Sequence, residues 1–245
     1  MVFELGGPNA RRGREKQNNL AIRSMAETSK ERERSDNRVP IRPTRFHRKQ
    51  SMQYPLEMRF SLFSLSQQIH VRDAEGKSIL FVKQKLFRLR EKIEVFSDSS
   101  QQKKLFDITA DRIIDFSANY LFSSADGTPW GGVRRRGMRS LWAAHYEVLE
   151  DGRIDMFIHE QDPWKRIVES ILGDIPLLGF FFIYMLNPTY LVDLADGTTA
   201  LKLTKKPSVF ERYFVIDKIA ELDADDELRA LLALIVMVIM EKNRG

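Results

Sequence analysis

The chain contains no cysteine. That excludes a disulfide framework, a thiolate nucleophile and a zinc–thiolate site together, and it accords with a reducing compartment. Histidine is scarce, at 4 of 245 residues, so imidazole chemistry has few positions to draw on. The nearest thing to a phosphate-cradling loop is GTPWGG at 127–132, which lacks the Lys-Ser/Thr ending such loops need. The first thirty residues have no central apolar run of the secretory kind, and Glu15, Glu27, Glu31 and Glu33 argue against an organelle transit peptide. No apolar run is long enough to cross a bilayer, which takes about 20 residues.

What remains is a chain that is 43% apolar, enough for a sizeable core. Its net charge of +5 is unevenly placed. Residues 1–50 hold 13 Lys/Arg against 6 Asp/Glu, leaving 26 against 28 for the rest. Stretches such as ARRGREKQNN and SKERERSDNR have few apolar residues and no period. They predict a disordered basic tail over 1–52. Such an arm can bind nucleic acid or an anionic membrane, although a solvated tail is the plain reading. Nucleic-acid binding is expected nowhere else. Another reading of the region is that translation starts at Met52, where the folded pattern begins.

From Gln53 onward short alternating apolar runs are divided by turn signals, which predicts a mainly β fold. Glu75-Gly76, Asp126-Gly127, Asp151-Gly152 and Asp196-Gly197 mark hairpins, since tight hairpin turns need positive φ at their central residues. Three of these hairpins open units of similar texture: strand, Gly turn, strand ending in bases, crossing segment, strand. Nine residues after the turn glycine stand Lys85, Arg136 and Lys206, and seven after it stand Lys83, Arg134 and Thr204. Repeated antiparallel hairpins predict a closed barrel, because closure removes exposed edges.

The last segment, ELDADDELRALLALIVMVIMEKNRG, is acidic at its start and basic at its end, as suits a helix dipole. Its run from Ala230 to Met240 is apolar on every side. It is also too short to span a bilayer, at about 16 Å for a helix rising 1.5 Å per residue. A helix apolar all round must be buried, so the strands are expected to wrap the chain's own last helix.

A β-rich meander with Gly-turn repeats and an apolar final helix resembles the LURP-one-related and Tubby C-terminal-like superfamily, which also holds the phospholipid scramblases. The resemblance is carried by IHVRDAEGKSILFVKQKLFRLREKIEVFSD, YLVDLADGTTALKLTKKPSVFERYFVIDKIAEL and LRALLALIVMVIME, and covers about 53–245. It implies an antiparallel barrel of about twelve strands around a central helix. It also implies a non-enzymatic role, because Tubby-type domains bind phosphoinositides. The family's lipid-contacting residues have no position-by-position match here.

Lys83, Lys85, Arg134, Arg136 and Lys206 are the candidate anion- or lipid-binding residues. Residues i and i+2 share a strand face, so Lys83 with Lys85 and Arg134 with Arg136 could form one cationic stripe able to hold phosphate oxygens. The alternative is an ordinary solvated outer face. The segment 163–187 predicts a helical insert: Ile167, Val168, Ile171 and Leu172 recur at helical spacing, and 175–186 is uncharged. Trp164, Phe180, Phe181 and Phe182 are its candidate membrane or partner contacts, whereas Trp130 and Trp142 are expected to fill barrel ends. His145 and His159 flank the Asp151-Gly152 turn. A two-residue turn puts them on opposite faces, and a shared metal site then requires a bulge to shift the register. Asp111 and Asp115 could adjoin on a helical turn, but no nucleophile–base pair can be assembled.

The expected function is therefore a non-enzymatic binding or tethering module that reads anionic phospholipid headgroups. The alternative is a protein-interaction or homo-oligomerising scaffold that uses the 164–186 insert. No cofactor or metal is expected, and the expected location is the cytoplasm, peripherally at a membrane in the lipid-binding case.

Overall fold

The computed structural model describes residues 52–61, 67–85, 92–111, 119–136, 145–162, 187–208 and 211–242. Twelve strands and one helix account for most of them: β1 (Leu56–Ser61), β2 (Gln67–Arg72), β3 (Ser78–Lys85), β4 (Lys92–Phe96), β5 (Lys104–Ala110), β6 (Asn119–Ser124), β7 (Pro129–Arg135), β8 (His145–Glu150), β9 (Arg153–Glu160), β10 (Thr189–Leu194), β11 (Thr199–Lys206), β12 (Arg212–Lys218) and α1 (Ala224–Lys242). Each strand pairs antiparallel with its neighbours in sequence, and β12 returns to pair β1, closing the barrel. Residues 1–51 of the expected tail and 163–186 of the expected 163–187 insert lie outside the described residues. Met52, the first described residue, is buried in the core.

Strict alternation decides which face turns inward. In β1, Leu56, Met58 and Phe60 are buried while Glu57, Arg59 and Ser61 are not. In β9, Met156, Ile158 and Glu160 alternate with half-buried neighbours. A barrel this wide leaves more room than strand side chains can fill, and α1 occupies it. Every residue from Leu228 to Ile239 is buried, whatever its bearing around the helix axis. Those 12 residues make about 18 Å of helix at 1.5 Å per residue. That matches strands of 5–8 residues tilted as barrel strands are.

Asp223 caps the helix, its Oδ1 accepting from the N–H groups of Asp225 and Asp226, each at 2.9 Å. Asp225, Asp226 and Glu227 fill the first turn, where the dipole favours acids.

The repeat is geometric as well as textual. In the hairpins β2–β3, β6–β7 and β10–β11 the register shifts at the same place, between Val71/Arg72, Phe122/Ser123 and Val192/Asp193. Only the glycine takes positive φ in each of these three turns, at 79°, 88° and 88°. The carbonyls of Asp73, Ser124 and Leu194 accept from those glycines' N–H groups at 2.8–2.9 Å. Asp151-Gly152 is the exception: both residues have positive φ, 47° and 77°, as a two-residue hairpin requires.

Candidate functional site: a basic ring at one mouth of the barrel

Strands β3, β7 and β11 all start at the end of the barrel that carries the glycine turns. Positions seven and nine residues beyond the glycine therefore land at the opposite end. This brings Lys85, Arg134, Arg136 and Lys206 to one mouth, whereas Lys83 stands within β3 and its side chain reaches Gln101 of the β4–β5 link at the turn end. It does not bring them into one stripe. β3, β7 and β11 are each four strands apart around the closed sheet, about 19 Å along it at 4.8 Å per strand. The bases form a ring of separated groups because the threefold repeat distributes them evenly.

Their surroundings differ. Arg134 Nε donates to Glu147 Oε2 at 2.6 Å, and Arg136 Nε lies 3.5 Å from Glu147 Oε1. One carboxylate thus holds two half-exposed guanidiniums and leaves a net single charge. Lys83 Nζ donates to Gln101 Oε1 at 3.4 Å, and Lys206 is exposed. Lys85 closes β3 opposite Lys92 of β4. Trp164, Phe180, Phe181 and Phe182 lie outside the described residues. The chain leaves β9 for them and returns to β10 at this same end, where the N–H of Gln161 donates to the carbonyl of Thr189 at 2.8 Å.

The two ends carry opposite charge. The two terminal residues of every strand, with the described link residues beyond them, hold eight Lys/Arg and four Asp/Glu at the basic end. The same selection at the turn end holds six and twelve. Part of this complements the helix dipole, whose negative end lies at the basic mouth. Inside that mouth Arg135 Nη2 lies 3.9 Å from Glu241 Oε1, and the Tyr146 hydroxyl donates to the same oxygen at 2.6 Å. Burial and the adjacent Glu241 push the Tyr146 phenol far up, so it stays a donor. Lys242 Nζ donates to Gln67 Oε1 at 3.1 Å, and burial followed by Arg212 holds that lysine below its usual range. Gln67 Nε2 and Gln84 Oε1 are buried there without a hydrogen-bond partner. The dipole does not account for Lys83, Arg134, Arg136 or Lys206, which stand on the outer face.

At the opposite mouth Arg229 is the group that sequence reasoning missed. It is wholly buried, and its guanidinium donates to Asp155 at 3.0 Å, to Asp226 at 2.6 Å and to Glu150. It also lies 5.2 Å from the Trp130 ring centroid. Trp130 fills this barrel end as expected, packed on Phe106. A cation set among the leucines and alanines of the helix's buried run was the available signal, since such a charge is buried only when paired. Asp155 reaches it because β9 carries an extra residue there: Leu149 pairs Ile154, and Val148 pairs Met156. The oxygens of Glu150, Asp155 and Asp226 lie close enough to hold a cation, and the Arg229 guanidinium is already that cation. Asp226 is nevertheless pushed up to about 6, by burial first and then by Asp155 and Asp223, against the pull of Arg229.

The same bulge overturns the expectation for the histidines. It moves the register by one, so His145 stands directly opposite His159 on one face. Asp111 is committed to structure: its Oδ1 accepts from the Asn119 N–H at 2.9 Å and its Oδ2 from Asn119 Nδ2 at 2.7 Å. Asp115 lies outside the described residues.

No family model, curated protein or solved structure matches the chain. Among the described residues no helix is long and apolar enough to cross a membrane.

Proposed function

We propose that this protein is a non-enzymatic module that docks end-on to anionic phospholipid surfaces through the basic mouth of its barrel. The observation that carries this reading is the gathering of four of the five candidate bases, Lys85, Arg134, Arg136 and Lys206, at one end, away from an acid-rich opposite end. A pole of this kind orients a protein on a negatively charged leaflet, where each nearby Lys or Arg contributes about 1 kcal/mol. The sequence of the links supports the same pole. Each of the six links joining strands at the basic end contains a Leu, Phe or Trp, whereas the five strand–strand links at the turn end contain no large apolar residue. Apolar groups beside bases suit a bilayer interface. The α1 helix fills the lumen, so contact falls to the ends and the outer wall. The reading includes cytoplasmic residence and membership of the LURP-one-related and Tubby C-terminal-like superfamily. A twelve-stranded barrel closed around its own helix supports that membership.

The test is flotation of the full chain with vesicles of phosphatidylcholine alone and with added phosphatidylserine, at low and high salt. Beside it runs the triple variant Lys85→Glu, Arg136→Glu, Lys206→Glu. Binding that needs phosphatidylserine, falls with salt and is lost in the triple variant supports the reading. Binding retained by the triple variant assigns adhesion to the basic tail. No binding leaves the protein-scaffold alternative as the better account.

A further inference from the structure

We propose that Ser208 is a phosphorylation site for a protein kinase that selects basic substrates, and that a phosphate there releases the basic mouth from anionic membranes. The release rests on the docking reading above; the site itself does not. A kinase of this kind carries acids in its peptide cleft, so it favours a serine with bases two and three residues before it. Among all the serines and threonines of the chain, only Ser51 and Ser208 have Lys or Arg at both places, in Arg48-Lys49-Gln50-Ser51 and Lys205-Lys206-Pro207-Ser208. Ser51 lies outside the described residues.

The fold leaves Ser208 within reach of a kinase. Lys206, Pro207 and Ser208 are exposed, and Lys205 is half-buried. Lys206 opposite Tyr213 is the last pair of the β11–β12 ladder. On the other side the ladder with β10 has already ended, and a final bond runs from the Lys205 N–H to the Pro188 carbonyl at 3.1 Å. Pro207 has no N–H to extend either ladder. The acceptor hydroxyl therefore stands just past the sheet. In the reaction the Ser208 oxygen bonds to the γ-phosphorus of ATP as the bond from that phosphorus to the β-phosphate oxygen breaks. ADP leaves, and an aspartate of the kinase takes the hydroxyl proton.

A phosphate on Ser208 would enter a cationic corner of the mouth. Lys206 and Arg212 flank the link between β11 and β12, and Lys242 stands close enough for the Arg212 charge to add to burial in holding it below its usual range. The acid of the link, Glu211, is drawn away to Arg59 of β1, which donates to it at 2.7 Å. Eight Lys/Arg against four Asp/Glu give the basic end a net of four positive charges. A phosphoserine brings about −1.5 to −2 at pH 7, so one modification cancels nearly half of that net charge. Affinity for an anionic leaflet should then fall about 10- to 30-fold.

The test treats the folded full chain with the catalytic subunit of cyclic-AMP-dependent protein kinase and Mg²⁺–ATP, and maps phosphate by peptide mass spectrometry. Ser208 should be labelled, and Lys206→Gln should slow its labelling at least ~10-fold while Ser51 keeps its rate. Flotation with phosphatidylserine vesicles then compares Ser51→Ala with the double variant Ser51→Ala, Ser208→Ala, each after kinase treatment. The single variant should bind about 10- to 30-fold more weakly than the double, and phosphatase should restore it. Absence of phosphate from Ser208, with a standard basic peptide labelled in the same tube, overturns the site. A labelled Ser208 with unchanged vesicle binding overturns the release. If neither variant binds the vesicles before treatment, the docking reading falls and takes the release with it, while the mapping still decides the site.

Discussion

Replacing Asp226 by Asn should stabilise the protein at pH 7 and leave it nearly unchanged at pH 4. Three carboxylates surround one guanidinium at the turn-end mouth, so the cluster carries two uncompensated charges when all are ionised. Asp226 answers by titrating at about 6 against about 3.9 in an unfolded chain. The folded protein therefore holds this proton more tightly than the unfolded one. Falling pH favours the folded state through this group, and stability drains away as pH rises from about 4 to about 6. A gap near two units corresponds to about 3 kcal/mol at most. The Asp226 side chain is 27% exposed, and solvent screening reduces the figure to about 1–2 kcal/mol. Asparagine keeps a hydrogen-bond acceptor for Arg229 and carries no charge to expel. Urea unfolding of both proteins, at half-unit steps from pH 4 to 7.5, reads the difference between the two profiles. Taking the difference matters because Asp126 and Asp196, bonded to turn hydroxyls and amides, sit below the usual carboxylate range and push the wild-type profile the opposite way. Parallel profiles, or a variant less stable at pH 7 than at pH 4 relative to wild type, would refute the frustrated-cluster account.

Ile235, wholly buried at the centre of α1, should tolerate Ala at a cost of about 2–5 kcal/mol and should not fold as Asp; a soluble, cooperatively melting Ile235→Asp variant would defeat the enclosed-helix structure. Gly131 has φ 124°, and a Cβ there would meet the Leu149 carbonyl at 2.4 Å and the Arg229 side chain at 3.3 Å. Gly131→Ala should therefore unfold more readily in denaturant than Gly76→Ala, which meets nothing within 4 Å and bears only the positive-φ cost of about 1–2 kcal/mol. Glu147→Gln frees Arg134 and Arg136 from their shared partner. On the docking proposal it should tighten binding to phosphatidylserine vesicles by about 5-fold, the equivalent of about one added surface charge; weaker binding would count against the basic mouth as the contact.

Much of the architecture was legible because it rests on local periodicity. The alternation in Leu56–Ser61, the glycine turns and the all-round apolarity of Ala230–Met240 each dictate a local element. Only a closed sheet around that helix reconciles them. Spacing along the chain also placed Lys85, Arg136 and Lys206 at equal heights. It could not give their lateral separation, which depends on how many strands lie between β3, β7 and β11. The bulge at Val148/Leu149 escaped for a different reason. A tight Asp-Gly turn predicts an unbroken ladder, and one extra residue in β9 reverses which faces His145 and Asp155 share with their partners. Arg229 left a signal in plain view, a single charge among leucines and alanines, but its partners Glu150 and Asp155 lie more than seventy residues earlier in the chain.

A wall that precedes its own filling sets a problem of timing. From Leu56 to Ala224 the ribosome adds 168 residues, roughly ten to thirty seconds of synthesis at about 5–20 residues per second. Throughout that interval the growing meander has inward valines, leucines and phenylalanines with nothing to cover them. β1 also waits as an open edge for β12, the last strand made. Cooperative folding then begins only after α1 has emerged. A nascent chain of this kind depends on holding chaperones more than one whose core assembles as it is made, and a stop codon shortly before α1 would leave a sticky, unclosable sheet instead of a shorter working domain.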